Sequence, residues 1–321
     1  MARVGERFQV FSLEMRGFDR RLWSRTNLTT LRRLAAASPR AWRIVGNVRP
    51  DAAVGGGGYL SGPVVAAAAT RRVPSLAIES DAHLGATNRL LRPFVKRLCL
   101  SFPIEGLGPP RYVMTGRPLS ATQLQASAER GREVFDLKED LPVVLVFGGS
   151  QGAQSINRAC LGAFGSGPLE FQLVHVCGER NYDESKATLE AGGADVERYR
   201  LVPYTDELAH AMAAADLVVG RSGGSVAEIA VLGRPAILVP FPYASADHQR
   251  KNAHWMKDGG AAIVIEDAEL SGARLAAAVR ELFADGEQLT RMAAASRALG
   301  RPDATQRVAD EVQRLMTERQ T

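Results

Sequence analysis

The 321-residue chain has few cysteines, few aromatic residues and no long apolar run, and each shortage excludes a class of protein. Its three cysteines, Cys99, Cys160 and Cys177, are far apart in apolar stretches, which predicts reduced packing residues rather than disulfides or a metal cluster. No run reaches the roughly 18 apolar residues of a membrane-spanning helix, and no signal-type stretch follows Met1. With 45% apolar and 23% charged residues, the sequence predicts a cytoplasmic globular protein.

Charge is distributed unevenly along the chain. Residues 1–118 carry 19 Lys/Arg and 7 Asp/Glu, a net charge of +12, whereas residues 119–321 carry 21 and 28, a net of −7. Aromatic residues make up only 6% and no zinc-finger, basic-zipper or RRM signature occurs, so no nucleic-acid partner is predicted. The stretch NRLLRPFVKRLCLSF, Asn88 to Phe102, mixes basic and apolar residues as a helix on an anionic membrane surface does. An amphipathic helix packed on its own sheet fits this pattern as well.

Predicted strands alternate with predicted helices in both halves of the chain. The first half has candidate strands at Phe8–Leu13, Ala52–Val54, Ser75–Glu79 and Arg97–Ser101. The second half has them at Val143–Phe147, Phe171–Val176, Arg198–Val202, Leu217–Gly220, Ala236–Val239 and Ala261–Ile265. This alternation predicts an α/β fold of two Rossmann-like domains with parallel sheets.

The domain boundary is expected in the segment 116–142, which has no strand signal and lies where the charge changes sign. We therefore expect one domain over residues 1–120 and a second over residues 140–300. Residues 302–319 are predicted to form a last helix, which could pack back on the first domain.

The stretch VVLVFGGSQGAQSINRA, Val143 to Ala159, has the order strand, glycine turn, helix. The first N–H groups of a helix lack internal partners, and together with the helix dipole they attract an anion. Glycines let a phosphate approach the backbone closely. This stretch therefore predicts a diphosphate site at Gly149, Ser150, Gln151 and Gly152.

Three more clusters follow predicted strands, where ligands bind in open α/β sheets. The first, RSGGSVAEI, places Glu228 in the first turn of a helix, where its carboxylate could accept both ribose hydroxyls of a nucleotide or simply cap the helix. The second, VPFPYASADHQRKNA, is polar, but His248 and His254 lack a third ligand at useful spacing, so no metal is predicted. The third, GGGGYLSGP, is either a plain tight turn or a second anion site.

These four motifs, in this order, resemble those of the MurG family, the N-acetylglucosaminyltransferases that complete lipid II in peptidoglycan synthesis. The resemblance runs from about Phe8 to the end of the chain. It implies a GT-B fold and metal-independent, inverting transfer from UDP-N-acetylglucosamine. It also implies a lipid-linked acceptor, undecaprenyl-pyrophosphoryl-N-acetylmuramyl-pentapeptide, and a peripheral location on the inner face of the cell membrane.

The resemblance also implies roles for particular residues. Glu228 would bind the ribose, Ser150, Gln151 and Gly152 the diphosphate, and Gln249 the sugar hydroxyls, with Asp247 and Asn252 as partners in its loop. The donor site would further include Gly149, Arg221, Ser222, Gly223 and Ser225. Gly58, Tyr59, Ser61 and Asn88 would lie on the acceptor side, and Glu79 and His83 are candidates for catalysis.

The sequence departs from the family pattern at several positions. Ile78 and Asp81 stand where the family has a histidine and an asparagine, Ser120 stands in place of an arginine, and the turn in RSGGSVAEI is one residue shorter than in some relatives. A glycine loop of the form GGTGGH, whose histidine is a candidate general base, does not occur before Phe8. We therefore expect an N-terminal domain without its first βα unit, and a true start upstream of Met1. The alternatives are a catalytically impaired UDP-sugar-binding relative and a related membrane-lipid glycosyltransferase.

Overall fold

The computed structural model describes residues 8–13, 25–149 and 152–320. The chain divides into two compact units. Unit 1 comprises Met1–Ser80, Leu84–Thr115 and Gln306–Thr321, and unit 2 comprises Asp81–His83 and Gly116–Thr305.

Unit 1 contains a four-stranded parallel sheet in the order β1-β2-β3-β4. Its strands are β1 (Ala53–Gly55), β2 (Ser75–Glu79), β3 (Arg97–Leu100) and β4 (Tyr112–Met114). Its helices are α1 (Arg25–Val48), α2 (Ser61–Thr70), α3 (Ala86–Leu91) and most of the final helix α13 (Ala304–Gln320). Leu98 packs with Val65 on one face of the sheet, and Cys99 packs with Leu315 of α13 on the other. Both faces of this sheet are therefore covered, as is usual for parallel sheets.

Two sequence predictions for unit 1 were wrong, and one strand was not predicted. Residues 8–13 form no strand; the apolar side chains of Phe8, Val10 and Phe11 are exposed, and only Leu13 packs against a core cluster. Residues 88–102 do not form one helix, because α3 ends at Leu91 and β3 begins at Arg97. The three-residue strand β4 was not predicted, since so short a run gives no periodic signal.

Unit 2 contains a six-stranded parallel sheet in the order β10-β9-β8-β5-β6-β7. The strands are β5 (Val143–Phe147), β6 (Gln172–Val176), β7 (Tyr199–Val202), β8 (Leu217–Gly220), β9 (Ala236–Leu238) and β10 (Ala262–Val264). All six were predicted, each within one residue at either end. The chain moves outward from β5 to β6 and β7, then returns to β8 on the other side of β5. Such a reversal opens a crevice at the carboxyl ends of β5 and β8, where ligands bind in this class of sheet.

Unit 2 also contains helices that precede, connect and follow these strands. They are α4 (Ala121–Leu124), α5 (Ala128–Phe135), α6 (Gln154–Phe164), α7 (Tyr182–Gly192), α8 (Leu208–Ala214), α9 (Ser225–Val231), α10 (His248–Asp258), α11 (Gly272–Ala284) and α12 (Gly286–Leu299). The helices α6 and α9 begin directly beyond β5 and β8. None of the helices that the structure describes is both long and apolar enough to cross a membrane.

The three cysteines are free and buried, as the sequence predicted.

Candidate functional site

The glycine turn beyond β5 has a backbone conformation and close contacts that residues with a side chain could not adopt without strain or clashes. A methyl group added at Gly148 would lie 2.2 Å from the Ala153 nitrogen, and one added at Gly152 would lie 2.3 Å from the Cys177 carbonyl oxygen. Gly149 and Gly152 also have positive φ angles of 85° and 71°, which favour glycine. Ser150 and Gln151, two of the predicted site residues, lie outside the described residues.

Helix α6 begins at the end of this turn. None of the described side chains caps its N-terminus. The N–H groups of its first turn therefore point toward the turn with the positive end of the helix dipole, which is the arrangement that binds phosphate.

A cavity of about 700 Å³ lies in unit 2 at the switch point of the sheet. This volume falls in the range of small-molecule sites. Residues from three of the sequence motifs line it together: Gly149 and Gly152; Arg221, Gly223, Ser225 and Glu228; and Gln249. A second cavity, of about 560 Å³ along α5, is lined by several acidic residues, Glu129, Glu133, Asp136 and Glu139 among them. Because those carboxylates would repel a diphosphate, the first cavity is the better candidate site.

Glu228 lies in the first turn of α9, as predicted, and lines the cavity. Burial raises the pKa of its carboxyl group above the ordinary value of 4.5, while a hydrogen bond with Gln123 and the charge of Arg117 act in the opposite direction. The Arg117 guanidinium lies over Gly224, where an added methyl group would be 2.7 Å from its Cζ atom. Arg117 and Gln123 thus favour the ionised carboxylate that could accept ribose hydroxyls.

Two predicted donor-site residues hold the walls of the cavity together. Arg221 donates from Nη1 to Asp267 Oδ1 at 2.6 Å and from Nη2 to Ser155 Oγ at 2.8 Å, which ties the end of β8 to the start of α6. Ser222 is fully buried and donates to the Gln249 carbonyl oxygen at 2.7 Å. The side chains of Arg221 and Ser222 therefore form hydrogen bonds within the protein. A sequence motif alone does not distinguish such a structural role from ligand binding.

The motif at the start of α10 contributes one side chain to the cavity. Gln249 lines it and accepts at Oε1 from the Phe241 backbone N–H at 3.0 Å, which fixes the amide and leaves Nε2 as its donor end. Asp247 instead pairs with Arg250 at 3.2 Å. Asn252 is buried and donates to the Ser222 carbonyl oxygen at 3.0 Å. The cavity wall includes neither Asp247 nor Asn252.

Phe241 and Tyr243 line the cavity but were not among the predicted site residues. Their side chains are 40% and 69% exposed, and their ring centroids are 5.7 Å apart. Exposed aromatic rings at the rim of a pocket can stack on a planar ligand. The sequence offered one sign of this role, namely that two aromatic residues stand close together in the stretch VPFPYAS after a predicted strand.

In unit 1, the predicted acceptor-side residues shape two loops. Gly57 and Gly58 have positive φ angles, and Ser61 donates to the Gly57 carbonyl oxygen at 2.7 Å, so the turn before α2 is closed by its own hydroxyl. Tyr59 in this turn is exposed. The serine is thus a turn-forming residue in this structure.

Glu79 lies at the end of β2 and is almost completely buried. Its Oε2 atom accepts from the Gly85 N–H at 2.8 Å and from Asn88 Nδ2 at 2.9 Å. Asn88 Nδ2 also donates to the Ile78 carbonyl oxygen at 3.0 Å. Glu79 and Asn88 therefore hold together the loop between β2 and α3.

The side chain of His83 approaches helix α10. Its Nδ1 atom lies 3.1 Å from Lys251 Nζ. A lysine ammonium only donates, so Nδ1 must accept, and the proton of the neutral imidazole is then on Nε2. In this arrangement the ring has no remaining lone pair with which to accept a second proton.

In the part of the chain that the structure describes, no three His, Cys, Asp or Glu side chains come together as a metal site would require.

The parallel sheet, the glycine turn before α6 and the partly buried acid at the start of α9 are the features expected of the donor domain of a GT-B glycosyltransferase, an enzyme that uses a nucleotide sugar. Comparison with known proteins agrees. Residues 3–99 match the glycosyltransferase family 28 N-terminal domain, and residues 143–308 match the glycosyltransferase family 28 C-terminal domain.

Two relatives are named UDP-N-acetylglucosamine--N-acetylmuramyl-(pentapeptide) pyrophosphoryl-undecaprenol N-acetylglucosamine transferase. The protein from Halothermothrix orenii is 37% identical over 92% of this chain and 83% of its own length. That from Moorella thermoacetica is 40% identical over 90% of this chain and 80% of its own length. The crystal structure of Acinetobacter baumannii MurG superposes with a TM-score of 0.76 at 27% identity, over 97% of this chain and 86% of that one.

The chain belongs to glycosyltransferase family 28, within its MurG group. The family, the fold class and the enzyme class expected from the sequence motifs are thereby confirmed.

Proposed function

We propose that this chain transfers N-acetylglucosamine from UDP-N-acetylglucosamine to undecaprenyl-pyrophosphoryl-N-acetylmuramyl-pentapeptide. The observation that carries the proposal is the cavity of unit 2, which is lined both by the glycine turn before α6 and by Glu228 of α9. The names of the relatives from Halothermothrix orenii and Moorella thermoacetica support the choice of donor and acceptor.

The donor is assigned to the cavity by chemical complementarity. The first turn of α6 binds the diphosphate through backbone N–H groups, and Glu228 accepts the two ribose hydroxyls. Gln249 donates from Nε2 to a hydroxyl of the sugar, and Phe241 or Tyr243 stacks on the uracil ring.

The reaction is an inverting displacement at the anomeric carbon. A hydroxyl oxygen of the muramyl sugar forms the new bond from one face, while the bond to the diphosphate oxygen breaks on the other and UDP leaves. The hydroxyl proton passes to a base. The N-terminus of α6 stabilises the negative charge that develops on the leaving diphosphate, and the proposal requires no cation.

Glu79 and His83 are not assigned as that base. The Oε2 atom of Glu79 already accepts from Gly85 and Asn88, so we assign it to positioning the loop between β2 and α3. His83 accepts from Lys251 through the one ring nitrogen that could take a proton.

A transfer assay tests the proposal. Purified protein is incubated with UDP-N-acetylglucosamine labelled in the sugar and with the lipid-linked muramyl-pentapeptide, in the presence of EDTA. We expect label to move to the lipid even though EDTA removes metal ions, because the proposal assigns stabilisation of the leaving diphosphate to the N-terminus of α6. Binding of UDP without transfer would instead identify a UDP-sugar-binding relative, and transfer only to another lipid would identify a different acceptor.

The membrane surface is assigned to a basic and apolar patch of unit 1, made of Arg89, Leu90, Arg92 and Phe94. Leu90 and Phe94 are 74% and 52% exposed, and both arginines are exposed beside them. The predicted helix over residues 88–102 was wrong, but its N-terminal part still presents this patch. Apolar side chains that can enter a lipid interface, next to cations that pair with anionic headgroups, suit the inner face of a cell membrane.

We expect the protein to sediment with vesicles that contain anionic lipid and to be released by salt, since each basic residue at the surface contributes about 1 kcal/mol. Replacing Leu90 and Phe94 by glutamate is expected to abolish sedimentation. The control is Val196→Glu, at a valine of unit 2 that is 80% exposed, which should leave sedimentation unchanged. Equal binding to neutral vesicles, or equal loss in the control, would exclude the patch as the contact.

A further inference from the structure

A chain of buried polar side chains lies behind the glycine turn of unit 2. Cys160 Sγ is 3.3 Å from the Tyr199 hydroxyl oxygen, which is 2.8 Å from His175 Nδ1. His175 Nε2 is 3.0 Å from Asn157 Oδ1, and Asn157 Nδ2 is 2.8 Å from the Cys177 carbonyl oxygen. All of these side chains are buried, and they connect helix α6 with strands β6 and β7.

Only one assignment of donors and acceptors is consistent with all the hydrogen bonds in this series of side chains. A carbonyl oxygen only accepts, so Asn157 donates from Nδ2 to Cys177 and accepts at Oδ1. His175 must then donate from Nε2. Burial lowers the pKa of His175 to about 3, so the ring is neutral near pH 7 and Nδ1 accepts from the Tyr199 hydroxyl. The Cys160 thiol, whose pKa burial raises to about 12, donates to the Tyr199 oxygen.

The last acceptor of the chain lies against the glycine turn. The Cys177 carbonyl oxygen is the atom that a methyl group at Gly152 would meet at 2.3 Å. The same oxygen accepts from Asn181 Nδ2 at 3.1 Å. Asn157 itself is in the first turn of α6, the helix that follows the glycine turn. One side chain therefore fixes both the carbonyl that supports the turn and the start of the helix.

Burying these polar side chains costs free energy of hydration, which indicates that they serve to orient the elements they join rather than to stabilise the fold. Polar side chains lose hydration when buried, and well-packed apolar residues of similar volume often give equal or greater stability. A fully satisfied polar network does, however, impose a single arrangement on the elements that it joins. Here the elements joined are α6, β6 and β7, and the glycine turn leads directly into α6.

We propose that His175 is a positioning residue for the diphosphate-binding turn. It holds the Asn157 amide in one orientation, and this sets the position of the Cys177 carbonyl against Gly152 and of the N–H groups at the start of α6. The inference rests on the proposed function, which assigns this turn to the donor diphosphate. It predicts an effect on binding of the diphosphate that is separate from any effect on binding of the nucleoside.

The test compares the affinities of UDP and uridine, because uridine has no phosphate but keeps the ribose and base. For the unaltered protein we expect UDP to bind much more tightly than uridine. His175→Phe keeps a planar ring but removes both hydrogen bonds, and it is expected to lower the UDP-to-uridine affinity ratio about tenfold, the effect of losing one to two hydrogen bonds. His175→Gln, which can still donate and accept, should restore part of the ratio.

Asn157→Ala provides a second variant that disconnects the turn without altering the histidine, and it should lower the ratio to a similar extent. It decides the question if His175→Phe does not fold. The control is Cys160→Ala. It removes a buried group from the same helix, at the opposite end of the hydrogen-bonded series of side chains, and leaves the His175–Asn157 contact intact. We expect it to lower the melting temperature but not the ratio.

Nitrogen NMR of the His175 ring gives an independent readout. We expect one neutral tautomer, protonated at Nε2, that does not change between pH 5 and pH 8. An unaltered protein without preference for UDP over uridine would overturn the proposed function. A preserved ratio in folded His175→Phe or in Asn157→Ala, or the other tautomer, would overturn only the positioning role.

Discussion

Replacing Glu228 by glutamine is expected to weaken UDP binding by about 10- to 100-fold, or roughly 1 to 3 kcal/mol. The carboxylate lines the cavity, and its two oxygens can accept two hydrogen bonds, while Gln123 and Arg117 oppose the rise in its pKa that burial causes. The amide of glutamine has a similar shape but one fewer acceptor oxygen, so one ribose hydroxyl would be left without its partner. Titration calorimetry with UDP measures the difference.

Two comparisons make this prediction specific. Deoxy-UDP lacks the 2′-hydroxyl, so Glu228→Gln should weaken its binding less than that of UDP, as in a double-mutant cycle. Glu129→Gln removes an exposed carboxylate of the same unit outside the cavity and should leave UDP affinity unchanged. If Glu228→Gln and Glu129→Gln bound UDP equally well, Glu228 would not contact the ribose.

The pH dependence follows from the direction of the shift. Burial raises the pKa of Glu228 above 4.5, so its carboxylate takes up a proton at a higher pH than an exposed one. UDP affinity should therefore begin to fall, as the pH is lowered, before ordinary carboxylates titrate, and Glu228→Gln should remove this dependence. The effect on stability has the opposite sign. A raised carboxyl pKa means that the folded state binds the proton more tightly, so protonation of Glu228 favours folding.

Strands buried on both faces were the most predictable part of the fold. Each of the six strands of unit 2 was recognised as a short apolar run next to turn residues, and β5, from Val143 to Phe147, is completely enclosed. The strand β3 of unit 1 was also predicted, as Arg97–Ser101, but residues 88–102 were in addition interpreted as one amphipathic helix, which was wrong. The strand β3 is apolar on both faces, and with basic residues before it the sequence also fits a helix at a membrane surface. Apolar runs of this length do not distinguish the two by periodicity.

The sequence located the candidate site but not the direction of its side chains. The glycine turn and the first turn of α9 were predicted because backbone geometry and helix ends restrict the residues allowed there. Arg221 and Ser222 belong to the same motif as Glu228, yet their side chains bond within the protein. Arg117 and Glu228 are more than 100 residues apart in the sequence and come together only in the folded protein. Local sequence patterns do not predict such contacts.

Replacing Gly152 by alanine is expected to weaken UDP binding by about 100-fold or more. The new methyl group would lie 2.3 Å from the Cys177 carbonyl oxygen, a backbone atom that cannot rotate away. The turn must therefore move, and the N–H groups at the start of α6 would no longer meet the diphosphate. Hydrogen bonds to a charged group contribute about 1.5 to 3 kcal/mol each, so losing one or two of them accounts for this factor.

A matched variant separates this clash from backbone strain. Gly167 has a φ of 73°, close to the 71° of Gly152, but an added methyl group there meets nothing within 4 Å. Gly167→Ala therefore has the same cost of about 1 to 2 kcal/mol for a left-handed residue without any displacement of the turn. It should lower the melting temperature and keep UDP affinity, whereas Gly152→Ala should lose UDP affinity and retain binding of uridine. Equal UDP affinity in the two variants would show that the turn beyond β5 does not hold the diphosphate.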